Sequence, residues 1–187
     1  MPTASPTKIV VAVTGASGSI YAQRVFAHLA ALQESIPLEV GVVLSKNAPD
    51  VWRHELQTEP EIPFRVYDRD DYFAPFASGS AQYMHMLVVP CSMGTLGRIT
   101  HGISDDLTTR AADVMLKERR QLILMVRDAP YGQVQLENML KAHTAGAHIL
   151  PCTPSFYSRP QTLEAVADTV VHRALDLMGL PRPTYRW

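Results

Sequence analysis

Lys8-Ile9-Val10-Val11-Ala12-Val13, running into Thr14-Gly15-Ala16-Ser17-Gly18-Ser19 and then into helical periodicity over Ile20 to Gln33, decides the fold. Five of the first six residues are apolar, a run of strand length rich in β-branched side chains, and Leu38 to Leu44, interrupted by Glu39, is a second such run. Strand, helix and strand in that order make a βαβ unit, whose two strands lie parallel. The small-residue turn between the first strand and its helix brings backbone N–H groups and hydroxyls close to an anion or a flat heteroaromatic ring.

The same alternation continues along the chain. Ser45 to Leu56 reads as a second helix, and Pro60 to Ser80, rich in Pro, Asp, Phe and Tyr, as an irregular surface excursion. Further strands are predicted at Met86 to Val89, Gln121 to Val126 and His148 to Leu150. Helices are predicted at about Gly94 to His101, Leu107 to Glu118, Val134 to Ala145 and Thr162 to Met178. The pattern predicts one three-layer α/β domain over residues 1–187, a flavodoxin-like or Rossmann-like doubly wound parallel sheet. Residues 1–7 are expected to be a flexible start and 181–187 a tail. Val89-Pro90-Cys91-Ser92-Met93-Gly94-Thr95-Leu96 is a second strand-to-helix turn, so two such turns are expected to converge on one ligand at the carboxyl edge of the sheet.

Bulk properties narrow the function classes. A chain of 187 residues, 47% hydrophobic and with a net charge of −1, is long enough for a substantial core. Its arginines are scattered, which argues against a nucleic-acid groove. No apolar run approaches the roughly 20 residues of a membrane span, and Met1 to Thr7 is too short and polar for a signal peptide. The expectation is a cytoplasmic protein that touches neither nucleic acid nor membrane. Cys91 and Cys152, each beside a proline after an apolar strand, read as reduced core residues.

Six motifs occur together and in order: Thr14-Gly15-Ala16-Ser17-Gly18; Leu44-Ser45-Lys46; Pro90 to Leu96; Arg110-Ala111-Ala112-Asp113 through Arg120; Leu136-Glu137-Asn138-Met139; and Pro154-Ser155-Phe156-Tyr157-Ser158-Arg159-Pro160-Gln161. With these motifs the chain resembles flavin prenyltransferases of the UbiX type, from Lys8 to Leu180 and again at the closing Arg186-Trp187. The resemblance implies a homododecameric enzyme that binds FMN and dimethylallyl monophosphate and joins the prenyl group to N5 and C6 of reduced flavin. It also implies that the prenylated FMN serves a separate decarboxylase of the UbiD type, and that no metal is needed.

Residue by residue, the resemblance places Gly15, Ala16, Ser17, Ser45, Ser92, Met93, Gly94, Thr95 and Arg127 at the flavin. Glycine turns, a helix amino end and hydroxyl donors suit a ligand with a dianionic phosphate, a ribityl chain and a flat ring. Departure of an allylic phosphate requires fixed cations and hydrogen-bond donors. Lys117, Arg127, Tyr157 and Arg173 fill that role in the family pattern. Forming the C6 bond leaves a proton to remove. Ser17 and Glu55 match the family's proton-moving pair, and Trp187, Tyr157 and Trp52 are candidates to face an allylic cation. Arg110 and Asp113 read as helix-packing or subunit-contact residues, and Ala77 to Ser80 resembles a segment that reaches the site from an adjacent subunit.

The catalytic candidates are thus Ser17, Glu55, Lys117 and Asp128, and Asp128 is the main departure. The family usually carries Arg-Glu-x-Pro where this chain has Arg127-Asp128-Ala129-Pro130, and the missing methylene shortens the carboxylate's reach by over ~1 Å. Gln135 also replaces a frequent histidine. Mono- and diphosphate donors both remain open, as do two other functions. A cysteine-type flavin decarboxylase is expected to show Pro-Ala-Ser-Ala-Asn-Thr at the second turn and to use a histidine, for which His85 and His101 are weak substitutes. A non-catalytic FMN carrier would keep the flavin contacts alone.

Overall fold

The computed structural model describes residues 5–181, and the sheet is where its sequence logic shows most directly. Its strands are β1 (Thr7–Val13), β2 (Leu38–Leu44), β3 (Arg65–Tyr67), β4 (His85–Cys91), β5 (Gln121–Val126) and β6 (His148–Ile149). The helices are α1 (Ser19–Gln33), α2 (Ala48–Leu56), α3 (Met93–Thr100), α4 (Leu107–Lys117), α5 (Gln133–Ala145) and α6 (Leu163–Leu177). All strand pairs are parallel, in the order β3-β2-β1-β4-β5-β6. That is the doubly wound arrangement, with its topological switch between β1 and β4.

Side chains alternate faces along each strand, and the two faces build two cores. Ile9, Val11 and Val13 of β1 pack with α1, α2 and α6 through Phe26, Leu29, Trp52 and Val171. Val10 and Ala12 pack on the opposite face with α3, α4 and α5 through Leu96, Met115 and Ala142. Trp52, 2% exposed and stacked on Phe26 at a centroid distance of 6.3 Å, belongs to the first core. Its ring serves as an anchor between α1 and α2, removed from the allylic-cation role considered above.

Two elements differ from the sequence expectation. The segment 60–80 contains the edge strand β3, paired with Gly41 to Val43 of β2 and followed by 3-10 turns at Pro75–Ala77 and Gly79–Ala81. Three residues are too few for a period-2 pattern to register. Strand β4 also runs past Val89 through Pro90 to Cys91, with a register shift against β5 between Val88 and Cys91. Proline interrupts a ladder because it lacks a donor, but its carbonyl remains available.

Candidate functional site at the switch point

The carbonyl of Pro90 is where the site begins. The Thr14 hydroxyl, 2% exposed, donates to it at 2.6 Å, and the Ser92 N–H donates back to the same hydroxyl at 2.9 Å. One side chain therefore ties the end of β1 to the end of β4 and holds the two turns side by side. The next turn joins through the Ser45 N–H, which donates to the Val13 carbonyl at 2.8 Å. A Cβ on Gly15 would lie 2.9 Å from the Asn47 Cβ, so glycine is what allows the first and third turns to approach. On the other side the Arg127 N–H donates to the Cys91 carbonyl at 3.2 Å, and the Cys152 N–H to the Val126 carbonyl at 3.0 Å.

The carboxyl edge thus gathers the turns that carry Gly15, Ala16, Ser17, Ser45, Ser92 to Thr95 and Arg127 side by side. Ser92 caps α3 by accepting from the Thr95 N–H at 3.3 Å, and the helix geometry turns the Met93 and Gly94 N–H groups outward. Nothing lies within 4 Å of a Cβ built on Gly94, so open space faces that helix end. An exposed hydroxyl at Ser17, a helix amino end and glycine-lined backbone fit a phosphorylated ribityl chain attached to a flat ring.

Glu55 reaches back from α2 to the start of α1. Its carboxylate accepts from the Gly18 N–H at 2.9 Å and from the Ser19 N–H at 2.7 Å. Gly18, with φ 113, adopts the left-handed conformation that aims both groups at the carboxylate. Burial pushes the Glu55 carboxyl upward, but hydrogen bonds from Ser17, Ser19 and Gly18 outweigh it and hold the group below its ordinary value. The carboxylate is ionised at neutral pH, the form able to take a proton, and Ser17 is its neighbour.

A depressed folded value means that the stabilisation is complete above the ordinary glutamate value of 4.5 and fades as pH falls through the lower folded value. Glu55→Gln is therefore expected to cost about 1 kcal/mol at pH 7, a figure that allows for partial solvent exposure. Urea unfolding of both proteins at pH 7 and at pH 3 checks this: the gap is expected to narrow at acid pH, and a gap independent of pH would refute the charge contribution.

Tyr21 was not singled out from the sequence, yet its hydroxyl donates to the Cys152 carbonyl at 3.4 Å. Burial raises its pKa, as does Cys152, while Arg127 opposes them, which places the guanidinium within electrostatic reach of the ring. An aromatic residue three positions after a turn glycine was the available signal. Thr14 was visible only as part of a motif. Arg98, which pairs with Asp106 at 2.8 Å and Asp105 at 2.6 Å and fixes the connection from α3 to α4, gave no signal.

The other candidates lie elsewhere on the chain. Lys117 ends α4, just before the turn into β5, at the amino edge of the sheet; Arg127 follows the end of β5. Tyr157 and Arg173 line a groove of about 1120 Å³ between residues 150–160 and α6, where Arg173 pairs with Asp176 at 3.0 Å. Asp128 is exposed and accepts from the Ala129 N–H at 2.9 Å. Arg110 pairs with Asp113 at 3.1 Å and donates to the Ala77 carbonyl at 3.0 Å, so it braces the 77–80 segment. Trp187 lies outside the described residues. Burial pushes the thiols of Cys91 and Cys152, both free, up to about 12, which leaves them neutral and poorly nucleophilic.

A family model described as Flavoprotein matches residues 3–175. The flavin prenyltransferase UbiX of Methanocaldococcus jannaschii is 40% identical over 185 residues, which cover 96% of this chain and 98% of the relative. This chain belongs to the UbiX flavin prenyltransferase family. UbiX of Pseudomonas aeruginosa is also 40% identical, over 97% of this chain and 94% of its own.

Among solved structures, AnUbiX (PadA1) in complex with FMN and dimethylallyl pyrophosphate superposes with a TM-score of 0.90 at 38% identity, covering 98% of this chain and 100% of its own. A dodecameric FMN-dependent UbiX-like decarboxylase from Escherichia coli O157:H7 superposes at 0.86 with 36% identity, over 96% and 99%. The cysteine decarboxylase TvaF, at 18% identity and a TM-score of 0.59, shares the fold alone. The fold is thus that of the UbiX structures.

Proposed function

We propose that this UbiX protein transfers the dimethylallyl group of dimethylallyl phosphate to N5 and C6 of reduced FMN. The observation that carries the reading is the set of three glycine- and serine-rich turns drawn together by the Thr14 hydroxyl and the Ser45 N–H, in a chain that matches a UbiX prenyltransferase over 96% of its length. Reduced FMN, when bound, supplies the nucleophilic N5 and C6 positions. The chain's own part is positioning and proton handling. Gly15 to Ser17 and Ser92 to Thr95 orient the flavin, and Arg127 stands at the crevice mouth to meet phosphate charge. Ionised Glu55, hydrogen-bonded to Ser17, accepts the proton released when the ring closes.

Lys117, Tyr157 and Arg173 complete the phosphate grip in this reading, and their dispersal over one chain is consistent with a site shared between subunits. The dodecameric UbiX-like structure from Escherichia coli supports the same assembly here. We place the protein in the cytoplasm, handing prenylated FMN to a UbiD-type decarboxylase; among the described residues no helix is long and apolar enough to cross a membrane. The cysteine-decarboxylase reading loses ground because His85 starts β4 at the amino edge, bound to Gln121 at 2.8 Å, and His101 lies at the far end of α3.

Anaerobic incubation with reduced FMN and dimethylallyl phosphate, followed by mass analysis of the released flavin, tests the function. A gain of one five-carbon prenyl unit is expected; unmodified flavin with both the mono- and the diphosphate would overturn it in favour of a carrier. In the same assay Asp128→Glu is expected to retain activity, because the exposed position accepts another methylene. Abolished turnover in that variant would show that the shorter carboxylate is required.

A further inference from the structure

We propose that His28, Asp168 and His172 form a binding site for a divalent first-row transition cation on the flank of the domain, outside the flavin crevice. Helices α1 and α6 pack side by side on one face of the sheet. Each contributes two residues one turn apart, Arg24 and His28 from α1, and Asp168 and His172 from α6, a spacing that puts both members on one helix face.

The His28 Nε2 lies 2.9 Å from the Asp168 Oδ1, and the imidazole rings of His28 and His172 pack edge to face at a centroid distance of 4.8 Å and 61°. One ligand atom from each of the three residues lies within 4.8 Å of the other two. Ligand atoms around a tetrahedral zinc ion are separated by about 3.4 Å, so side-chain rotations that close the widest gap by about 1.4 Å bring all three into bonding range.

Two imidazoles and one carboxylate favour zinc, nickel or copper over magnesium or calcium, which take oxygen ligands. The side chains of His28 and Asp168 are 25% and 15% exposed, sheltered but reachable, and Asp168 and His172 also line the groove beside α6. Arg24 grips Asp168 with two hydrogen bonds, Nε to Oδ1 at 2.8 Å and Nη2 to Oδ2 at 2.7 Å, which fixes the carboxylate. Its positive charge also opposes a cation and weakens the affinity. Glu164, one turn before Asp168, also acts on Arg24 and offsets part of its charge while Asp168 keeps its place. A cation there clips α1 to α6.

Isothermal titration of zinc chloride into the metal-stripped full-chain protein, in a weakly coordinating buffer, tests the proposal alongside thermal unfolding. One zinc ion per chain with a micromolar Kd is expected, together with a rise in Tm at saturating zinc. His28→Gln combined with His172→Gln keeps the Arg24–Asp168 pair that joins the helices and is expected to weaken binding at least ~10-fold and remove the Tm rise. Each single substitution gives an intermediate loss if the double variant proves unstable. Absence of binding by the parent protein, or equal stoichiometry and affinity in parent and variants, would overturn the site and assign any zinc uptake to other surface groups.

Discussion

Replacing Thr14 by valine is expected to destabilise the protein by about 2–4 kcal/mol and to weaken FMN binding by roughly 10–100-fold. Valine matches threonine in shape but removes both hydrogen bonds at once. It leaves the Pro90 carbonyl and the Ser92 N–H, which the hydroxyl bridges at 2.6 and 2.9 Å, without that partner, the first in a buried bond and the second in a partly buried one. Each unpaired buried group costs about 1–3 kcal/mol, a large share of a stability that is typically about 5–15 kcal/mol. The affinity loss follows because the turn at Ser92 to Thr95 is no longer held against the turn at Gly15 to Ser17. Thr14→Ser keeps the hydroxyl and is expected to restore flavin affinity nearly in full. Urea unfolding together with FMN titration by fluorescence quenching separates the two effects. Native-like flavin affinity in Thr14→Val would remove Thr14 from its positioning role.

Inactive variants of Lys117 and Arg127 are expected to rescue each other when co-expressed. Lys117 stands before the first residue of β5 and Arg127 after its last, and the strand from Gln121 to Val126 spans about 17 Å. A phosphate gripped by both side chains therefore draws them from two different chains, as a symmetric assembly allows. Lys117→Met and Arg127→Met, each expected to abolish turnover alone, combine at random to leave about a quarter of the sites with both native cations. Prenylated flavin from the co-expressed mixture, at about a quarter of the native yield per site, is the expected result. A mixed oligomer as silent as its parents would place both residues in one chain's site and undo the shared-site reading.

What the sequence disclosed and what it concealed divide along the reach of each interaction. The strands β1, β2, β4 and β5 were legible because runs of four or more consecutive apolar residues advertise a strand buried on both faces. The flavin turns were legible because glycine and serine directly after a strand carry a local conformational meaning. Strand β3 was not, since Arg65 to Tyr67 becomes a strand only by pairing with β2, where Arg65 lies over the Tyr67 ring at 4.6 Å. The hydroxyl bridge at Thr14 joins residues 76 and 78 positions apart, and no periodicity reports contacts of that span. Family likeness named Glu55 as a proton handler beside Ser17, but its hold on the Gly18 and Ser19 N–H groups emerged only once α2 was set against the start of α1. The zinc-binding candidates were silent for the same reason, as His28 and Asp168 lie 140 positions apart.

The Glu55 bridge carries a consequence for ligand discrimination. In domains with this strand order, the amino end of the first helix is where a dinucleotide rests its pyrophosphate. Here the chain's own anion already occupies that berth, and an incoming pyrophosphate would meet a like charge where it needs two free donors. The architecture that accommodates NAD elsewhere therefore disfavours a pyrophosphate at this turn, and a mononucleotide, whose single phosphate is held at another turn, is the better guest.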